Sequence, residues 1–350
     1  MSSFNKIGEF IKITDKEWEI LNVIRYSWTV RELARRAGLP YSTTWRILNA
    51  ITEKGKVYFM PDYKNMNLLP LVVITKKDVK IIEVSSYTVS IREIYGLKTK
   101  RKLIYALIPP PYVKNFLDVL GLDDVIVIRG YEYIRWTANS NLTLYAPNIG
   151  VLMPVYGDIE KMLPSYTYPV EKYGGLKAPD KIDLAIIQGR IKDAFITPSS
   201  AIKHAVRVDS SFPRISKQLI SYHAIKHVKA RYWRGNTINF FYPMNKVPIR
   251  VWYFKGKDAP TISRILVSIP SFFTATIDVE DALVIGQPPC SMLEDLYKRI
   301  FTLFEDVEMP LGDLVLSSKS IQRFRPRLWM FVDKGRWVWV DEPIYAVKRA

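Results

Sequence analysis

The sequence predicts an α+β fold in which two helical heads alternate with two β-α-β-β-α-β sandwiches, one of each in either half of the chain. Three observations predict it. Capping-box patterns and helical apolar spacing mark a three-helix unit between Thr14 and Lys54. A β-α-β-β-α order of elements follows between Leu103 and Leu163. Both patterns then recur in the second half of the chain.

In the first head, Thr14-Asp15-Lys16-Glu17 and Thr29-Val30-Arg31-Glu32 each pair a Thr hydroxyl with a Glu three residues on, the signature of a helix start. Ile20, Leu21, Val23 and Ile24, then Leu33, Ala34 and Ala37, then Trp45, Ile47, Leu48 and Ile51 recur at three- and four-residue spacing and close three helices on one core. Gly38 ends the second helix, Leu39-Pro40 makes a turn, and Tyr41 or Ser42 opens the third. Lys56 to Pro61 is expected to form a basic hairpin, or wing, and Leu68 to Thr75 a strand. Residues 76 to 98 read as strand and connector, with alternation from Val79 to Val84. Strands at 103–108, 125–137 and 142–146 and helices at 112–120 and 156–163 complete the first sandwich. Pro and Gly between Pro164 and Pro179 mark a linker.

The second half repeats the plan. Ile182 to Ile191 has a helical pattern, Thr197-Pro198 opens a helix from Ser199 to Val206, and a third helix runs from Ser210 or Ser211 through Ile225. Lys229 to Gly235 reads as a second basic hairpin. Setting Trp45 against Pro213 gives an offset of 168, which also sets Ala37 against Ala205. Strand 249–254, helix 260–268, strands 272–279 and 282–285 and a helix from the Ser291-Met292-Leu293-Glu294 box to Phe304 follow. Leu103 and Ile249 differ by 146, and the drop of 22 matches the connector at 76 to 98. Further strands are expected at 314–317, 329–332 and 337–340. The chain therefore divides into winged helix-turn-helix domains at 1–67 and 176–243 and ferredoxin-like domains at 68–175 and 244–350.

A helix-turn-helix of this kind puts its third helix into the DNA major groove. Tyr41, Ser42, Thr43, Thr44 and Arg46 lie on the outward face of that helix, and Arg35, Arg36, Lys54 and Lys56 flank it. Ser210, Ser211, Arg214, Lys217, Lys229, Arg231 and Arg234 take the matching places in the second head. The bland alternative is a helical bundle with a solvated polar face. A formal charge of +17 over 350 residues favours a polyanionic partner. The one cysteine, Cys290, excludes an internal disulfide and a Cys-based zinc site. No apolar run of membrane-spanning length and no secretion leader is seen, so a cytoplasmic, nucleoid-associated protein is expected.

The alternation carried by residues 14–56 with 103–163, and again by 182–234 with 249–304, resembles the Lrp/AsnC family of feast/famine regulators. That resemblance implies a DNA-binding transcription regulator, built here as a fused pseudo-dimer, with double-stranded DNA as its partner and homodimer pairing through the ferredoxin-like sheets. The glycine-rich effector loops of the family have no counterpart at 147–155 or 286–289, and Pro213 disturbs the third helix of the second head. An architectural or replication-associated DNA binder and a protein-interaction module of the transcription machinery remain alternatives.

An enzyme is not expected. His223 and His227 stand four apart on one helix, but no carboxylate or thiol lies at ligand spacing in the sequence, so neither a metal nor a cofactor is assigned. The fused Lrp-like haem-pathway decarboxylases share the doubled architecture but use His in the second module, and residues 245–350 contain none. Asp278, Glu280 and Asp281 read as a turn, no P-loop is present, and no Ser/His/Asp set can be assembled. Aromatics among the basic residues at 203–234 and 319–337 could stack on unpaired bases but more simply fill a sheet.

Overall fold

Helix signals in the sequence act where they stand, and they start the chain. The structure is a computed structural model and describes residues 10–76, 84–97, 99–121 and 124–340. A short strand β1 (Ile11–Lys12) leads into α1 (Asp15–Ile24), where the Thr14 capping box forms reciprocally. In α2 (Val30–Ala37) the Thr29 hydroxyl accepts the Glu32 amide proton, and Gly38 closes the helix at φ 66°. The third helix, α3 (Tyr41–Lys54), buries Thr44, Ile47, Leu48 and Ile51. Trp45, assigned to the core by spacing, is instead 47% exposed, because the buried stripe of this helix runs through Thr44, Ile47, Leu48 and Ile51 and leaves it on the other face.

Strand β2 (Gly55–Pro61) follows, then β3 (Leu69–Thr75), β4 (Thr88–Gly96), β5 (Thr99–Ile108), α4 (Val113–Leu120), β6 (Val125–Arg129), β7 (Glu132–Arg135), β8 (Thr143–Ala146), β9 (Val151–Pro154) and α5 (Ile159–Tyr166). The alternation at Val79 to Val84 falls outside the described residues except for Val84. The strand expected at 125–137 is broken at Gly130 and Tyr131, and its two pieces part company: β6 pairs with β3, while β7 pairs with β12 (Phe272–Ile277) from the second half.

The second half supplies α6 (Lys181–Lys192), α7 (Pro198–Val208) capped by Thr197, and α8 (Lys217–Tyr222) capped by Ser216. The helix expected from Ser210 therefore starts later. From His223 to Tyr232 the chain winds as a π-helix, not as a hairpin, and β10 (Trp233–Phe240) follows. Then come β11 (Arg250–Lys255), α9 (Ala259–Val267), β12, β13 (Asp281–Gly286), α10 (Cys290–Arg299) and β14 (Asp313–Arg323). The cap position of α10 is Pro289, so the Ser291 box does not start that helix. Trp329 lies in a 3₁₀ turn ahead of the short pair β15 (Val332–Asp333) and β16 (Arg336–Trp337).

The architecture is a mixed α/β one built on a large antiparallel sheet ordered β6-β3-β5-β4-β14-β11-β13-β12-β7. In a flat sheet β3 and β11, four strand spacings apart, would stand about 19 Å from each other. Val72 and Ile74 of β3 nevertheless share one apolar cluster with Val251 and Tyr253 of β11 and Leu283 of β13. The sheet must therefore curl until its two halves face each other, as strand twist allows. Tyr105 of β5 meets the Thr276 hydroxyl of β12 across this gap. No described helix is long and apolar enough to cross a membrane.

Candidate functional site

The residues expected to read DNA do not form two free faces. Strand β2, the first wing, pairs along its length with β10, so the two basic segments make one ribbon tying the halves together. Lys54 ion-pairs with Glu17 at 2.8 Å and donates to the Lys12 carbonyl. Glu32 accepts from Arg36 of its own helix and from Lys229 of the other half. Burial opposes the Glu32 charge, but the Trp28 amide, Arg36 and Lys229 outweigh it and hold the carboxyl below its usual range. Thr44 is buried and donates to the Pro40 carbonyl. Thr43 is half-buried, and Arg35, Tyr41, Ser42 and Arg46 are exposed on α2 and α3. In the second half, Ser210 and Ser211 sit in the turn after α7, where Ser211 bonds Asp209, and Arg214 lies in a loop before Lys217 opens α8. Arg231 ends the π-helix, exposed. The residue types suggested a DNA face, but pairing between the halves ties up Lys229 and the wing backbone, and Lys54 is held by Glu17 and Lys12 of its own half.

Lys56 and Arg234, the remaining members of that set, flank a different arrangement. Strand alternation puts Tyr131, Tyr133 and Arg135 on one face of the β7 segment. Arg135 donates to the Tyr133 hydroxyl at 2.7 Å, and its guanidinium carbon lies 4.1 Å from the centre of the Tyr58 ring. Burial works against the Arg135 charge, and Tyr133, Tyr58, Tyr63 and Tyr105 more than offset it, leaving the group above its ordinary pKa. Among the described residues no carboxylate pairs with Arg135. Lys56 and Arg92 are both pushed down, first by burial and then by Arg323, with Arg135 adding to the effect on Lys56. Positive charge is thus concentrated here without a matching acid.

Arg135 and Tyr133 form one wall of a cavity of about 250 Å³ whose other walls include Arg25, Arg234, Tyr168 and Arg264. The arginines differ in kind. Arg264 is spent on structure: it grips Glu132 with two nitrogens, at 3.0 and 2.6 Å, donates to the Tyr166 and Tyr168 carbonyls, and stacks on the Tyr168 ring. Arg25, Arg135 and Arg234 have no carboxylate partner among the described residues. Burial pushes the Tyr133 hydroxyl up, and burial with Glu132 pushes Tyr168 up to about 12, so both stay protonated at neutral pH, with Tyr168 donating its proton to Glu132 at 2.9 Å. The Tyr-x-Tyr-x-Arg spacing was visible in the sequence. Its enclosure by β2 and β10 was not.

A second cluster brings Asp180 and Asp183 of the α6 start to His223 and His227 of the π-helix. The two Asp183 oxygens lie 2.9 Å from His223 Nδ1 and 3.1 Å from His227 Nδ1. The Asp180 Oδ2 stands 3.1 and 3.8 Å from the same two nitrogens. Burial, then the neighbouring Asp180, raises the Asp183 pKa. The carboxylates that the sequence did not place near this His pair are supplied from forty residues upstream by the fold.

No protein-family model matches the chain, and no curated protein matches it. Two solved structures are similar to it. One is the crystal structure of the siroheme decarboxylase NirDL, at 11% identity over 87% of this chain and 91% of that one, with a TM-score of 0.43. The other is the same enzyme in co-complex with an iron-uroporphyrin III analogue, at 10% identity, 87% and 92% coverage and a TM-score of 0.42. Both are named as an enzyme. The expected Lrp/AsnC-type transcription regulator, its DNA-binding function and the expectation of no enzyme are corrected accordingly.

Proposed function

We propose that the protein is an enzyme that holds a carboxylate-bearing substrate in the cavity beside β7. What carries this reading is Arg135: a guanidinium enclosed by four tyrosines with no acid facing it among the described residues. Its surroundings keep the guanidinium charged, and a bound anion would meet it with no competing acid among the described residues. Its fork matches a carboxylate through two parallel hydrogen bonds, with Arg234 and Arg25 available for further oxygens. Tyr133, kept protonated and accepting from Arg135 on its oxygen, is the group placed to donate a proton to the bound substrate. A decarboxylase, as both similar structures are called, by definition acts on a carboxylate; here the reading stands on Arg135 and not on that distant likeness.

We also read the two halves as copies of one head and one sandwich. In support, Thr29 and Thr197 cap α2 and α7 at the offset taken from the sequence, and α1 corresponds to α6.

Calorimetric titration with a series of mono- to tetracarboxylates, each beside its neutral amide, tests the substrate class. Saturable binding of an acid and not of its amide, lost in Arg135→Gln, is the expected result. Equal binding by the folded variant, or no binding of any acid, would overturn it, and preference for phosphate esters would redirect it.

A further inference from the structure

We infer that Asp180, Asp183, His223 and His227 form a binding site for a divalent transition-metal ion of the zinc type, separate from the cavity beside β7. The first argument is one of protons. Three carboxylate oxygens, Asp180 Oδ2 and both of Asp183, crowd two imidazole nitrogens at 2.9 to 3.8 Å. Each neutral imidazole can place one N–H at Nδ1. Two donors cannot satisfy three acceptors in four contacts. A cation at the centre turns those contacts into ligand-ligand edges.

The distances lie near that geometry without matching it, three being shorter than its edges and one longer, so an ion would spread the ligands by a few tenths of an ångström. Tetrahedral bonds of 2.0 to 2.2 Å to nitrogen and carboxylate oxygen give ligand-ligand edges of about 3.3 to 3.5 Å. The observed separations fall on both sides of this range.

Charge points the same way. Two carboxylates stand together on a chain of net charge +17, yet no Lys or Arg among the described residues ion-pairs with either. Two ionised carboxylates together in a half-buried place repel each other, and a divalent cation between them would cancel that repulsion.

Local structure fixes three of the four ligands. Asp180 caps α6 by accepting the Asp183 amide on Oδ1, which leaves Oδ2 directed at the histidines. Asp183 sits one turn along, its side chain 3% exposed, and divides its two oxygens between the rings. His223 is the first residue of a ten-residue π-helix, a rare form that recurs at functional sites. Entry is open on one side, since the Asp180 side chain is 44% exposed. Imidazole with carboxylate oxygen suits zinc and its neighbours in the first transition row more than magnesium or calcium.

The test uses the full chain, stripped with chelator, dialysed and titrated with zinc ion by calorimetry, with magnesium as control. Metal content is measured after re-dialysis. We expect about one zinc per chain, no magnesium, and a thermal midpoint that rises with zinc. Asp180→Asn is the informative variant because Asn caps a helix as well as Asp does, so the fold is retained while one ligand charge is lost. It should weaken zinc binding tenfold or more, on the order seen when the support of a metal ligand is removed. His227→Gln, at a partly exposed position, should do the same. A wild-type chain that retains no zinc, or a folded Asp180→Asn protein that binds it as tightly as wild type, would overturn the site. Because the readout is bound metal, the outcome is independent of the substrate assigned to the other cavity.

Discussion

Arg190 of α6 reaches across to the first half of the chain, where its guanidinium carbon lies 3.7 Å from the centre of the Trp28 ring and its Nη1 donates to the Trp28 carbonyl at 2.7 Å. The same nitrogen donates to the Ala194 carbonyl, and the residue is 1% exposed. Burial pushes this guanidinium down to about 10, still charged at neutral pH. Arg190→Ala should cost about 2 to 4 kcal/mol, since two buried carbonyls lose their donor and the indole loses its cation. The urea midpoint reports this, and an unchanged midpoint would show that α6 docks on its apolar contacts alone.

Arg264 and Glu132 form the corresponding link between α9 and β7. Arg264→Met leaves Glu132 with only the Tyr168 hydroxyl as partner and should lower stability by about 2 to 4 kcal/mol. The double variant with Glu132→Leu should recover much of that loss, because no lone charge then remains. Thermal melts of the two proteins, compared, decide it.

Arg135 predicts the opposite pattern. Nothing acidic among the described residues pairs with it, so Arg135→Gln should leave the melting temperature within a few degrees of wild type while removing carboxylate binding. A large fall in stability would mean that its tyrosine contacts hold the sheet together and serve no ligand.

Alkaline pH should act through Tyr168, which burial and then Glu132 push up to about 12. An unfolded tyrosine ionises near 10. A folded pKa raised above the unfolded one gives stability that is complete below about pH 10 and is lost as pH rises through about 12. Tyr168→Phe should therefore flatten the loss of stability between those two values, read from denaturation at stepped pH.

Gly235 marks where β10 bulges against β2. Its φ is +134°, and a Cβ there would lie 2.7 Å from the Arg25 carbonyl oxygen. Gly235→Ala should destabilise the ribbon by roughly 1 to 3 kcal/mol. Hydrogen exchange of the β2 amides gives the local readout, with faster exchange expected in the variant.

Much of the local structure was legible because its causes are local. The Thr14, Thr29 and Thr197 caps, the Gly38 and Gly121 stops and the strands at β3, β5 and β11 follow from residues within one turn or one pleat of each other. Misreadings occurred where a distant partner decided. Trp45 has core spacing and an exposed site; residues 125–137 have the pattern of one strand and make two, because β6 and β7 bond to opposite ends of the sheet. The wings were read as free hairpins, since nothing in either segment says that its partner is the other.

The sequence by itself determined most of the helices, the principal strands and the surplus of positive charge, all properties of short windows of side chains. Tertiary structure alone decided what those charges do. It set Lys229 against Glu32, closed tyrosines around Arg135, and brought Asp183 to two histidines forty residues away. The reason is physical: burial and pairing depend on which segments meet in space, since hydrogen bonds need direct contact and Coulomb energies decay with distance through space, however far apart the residues lie along the chain.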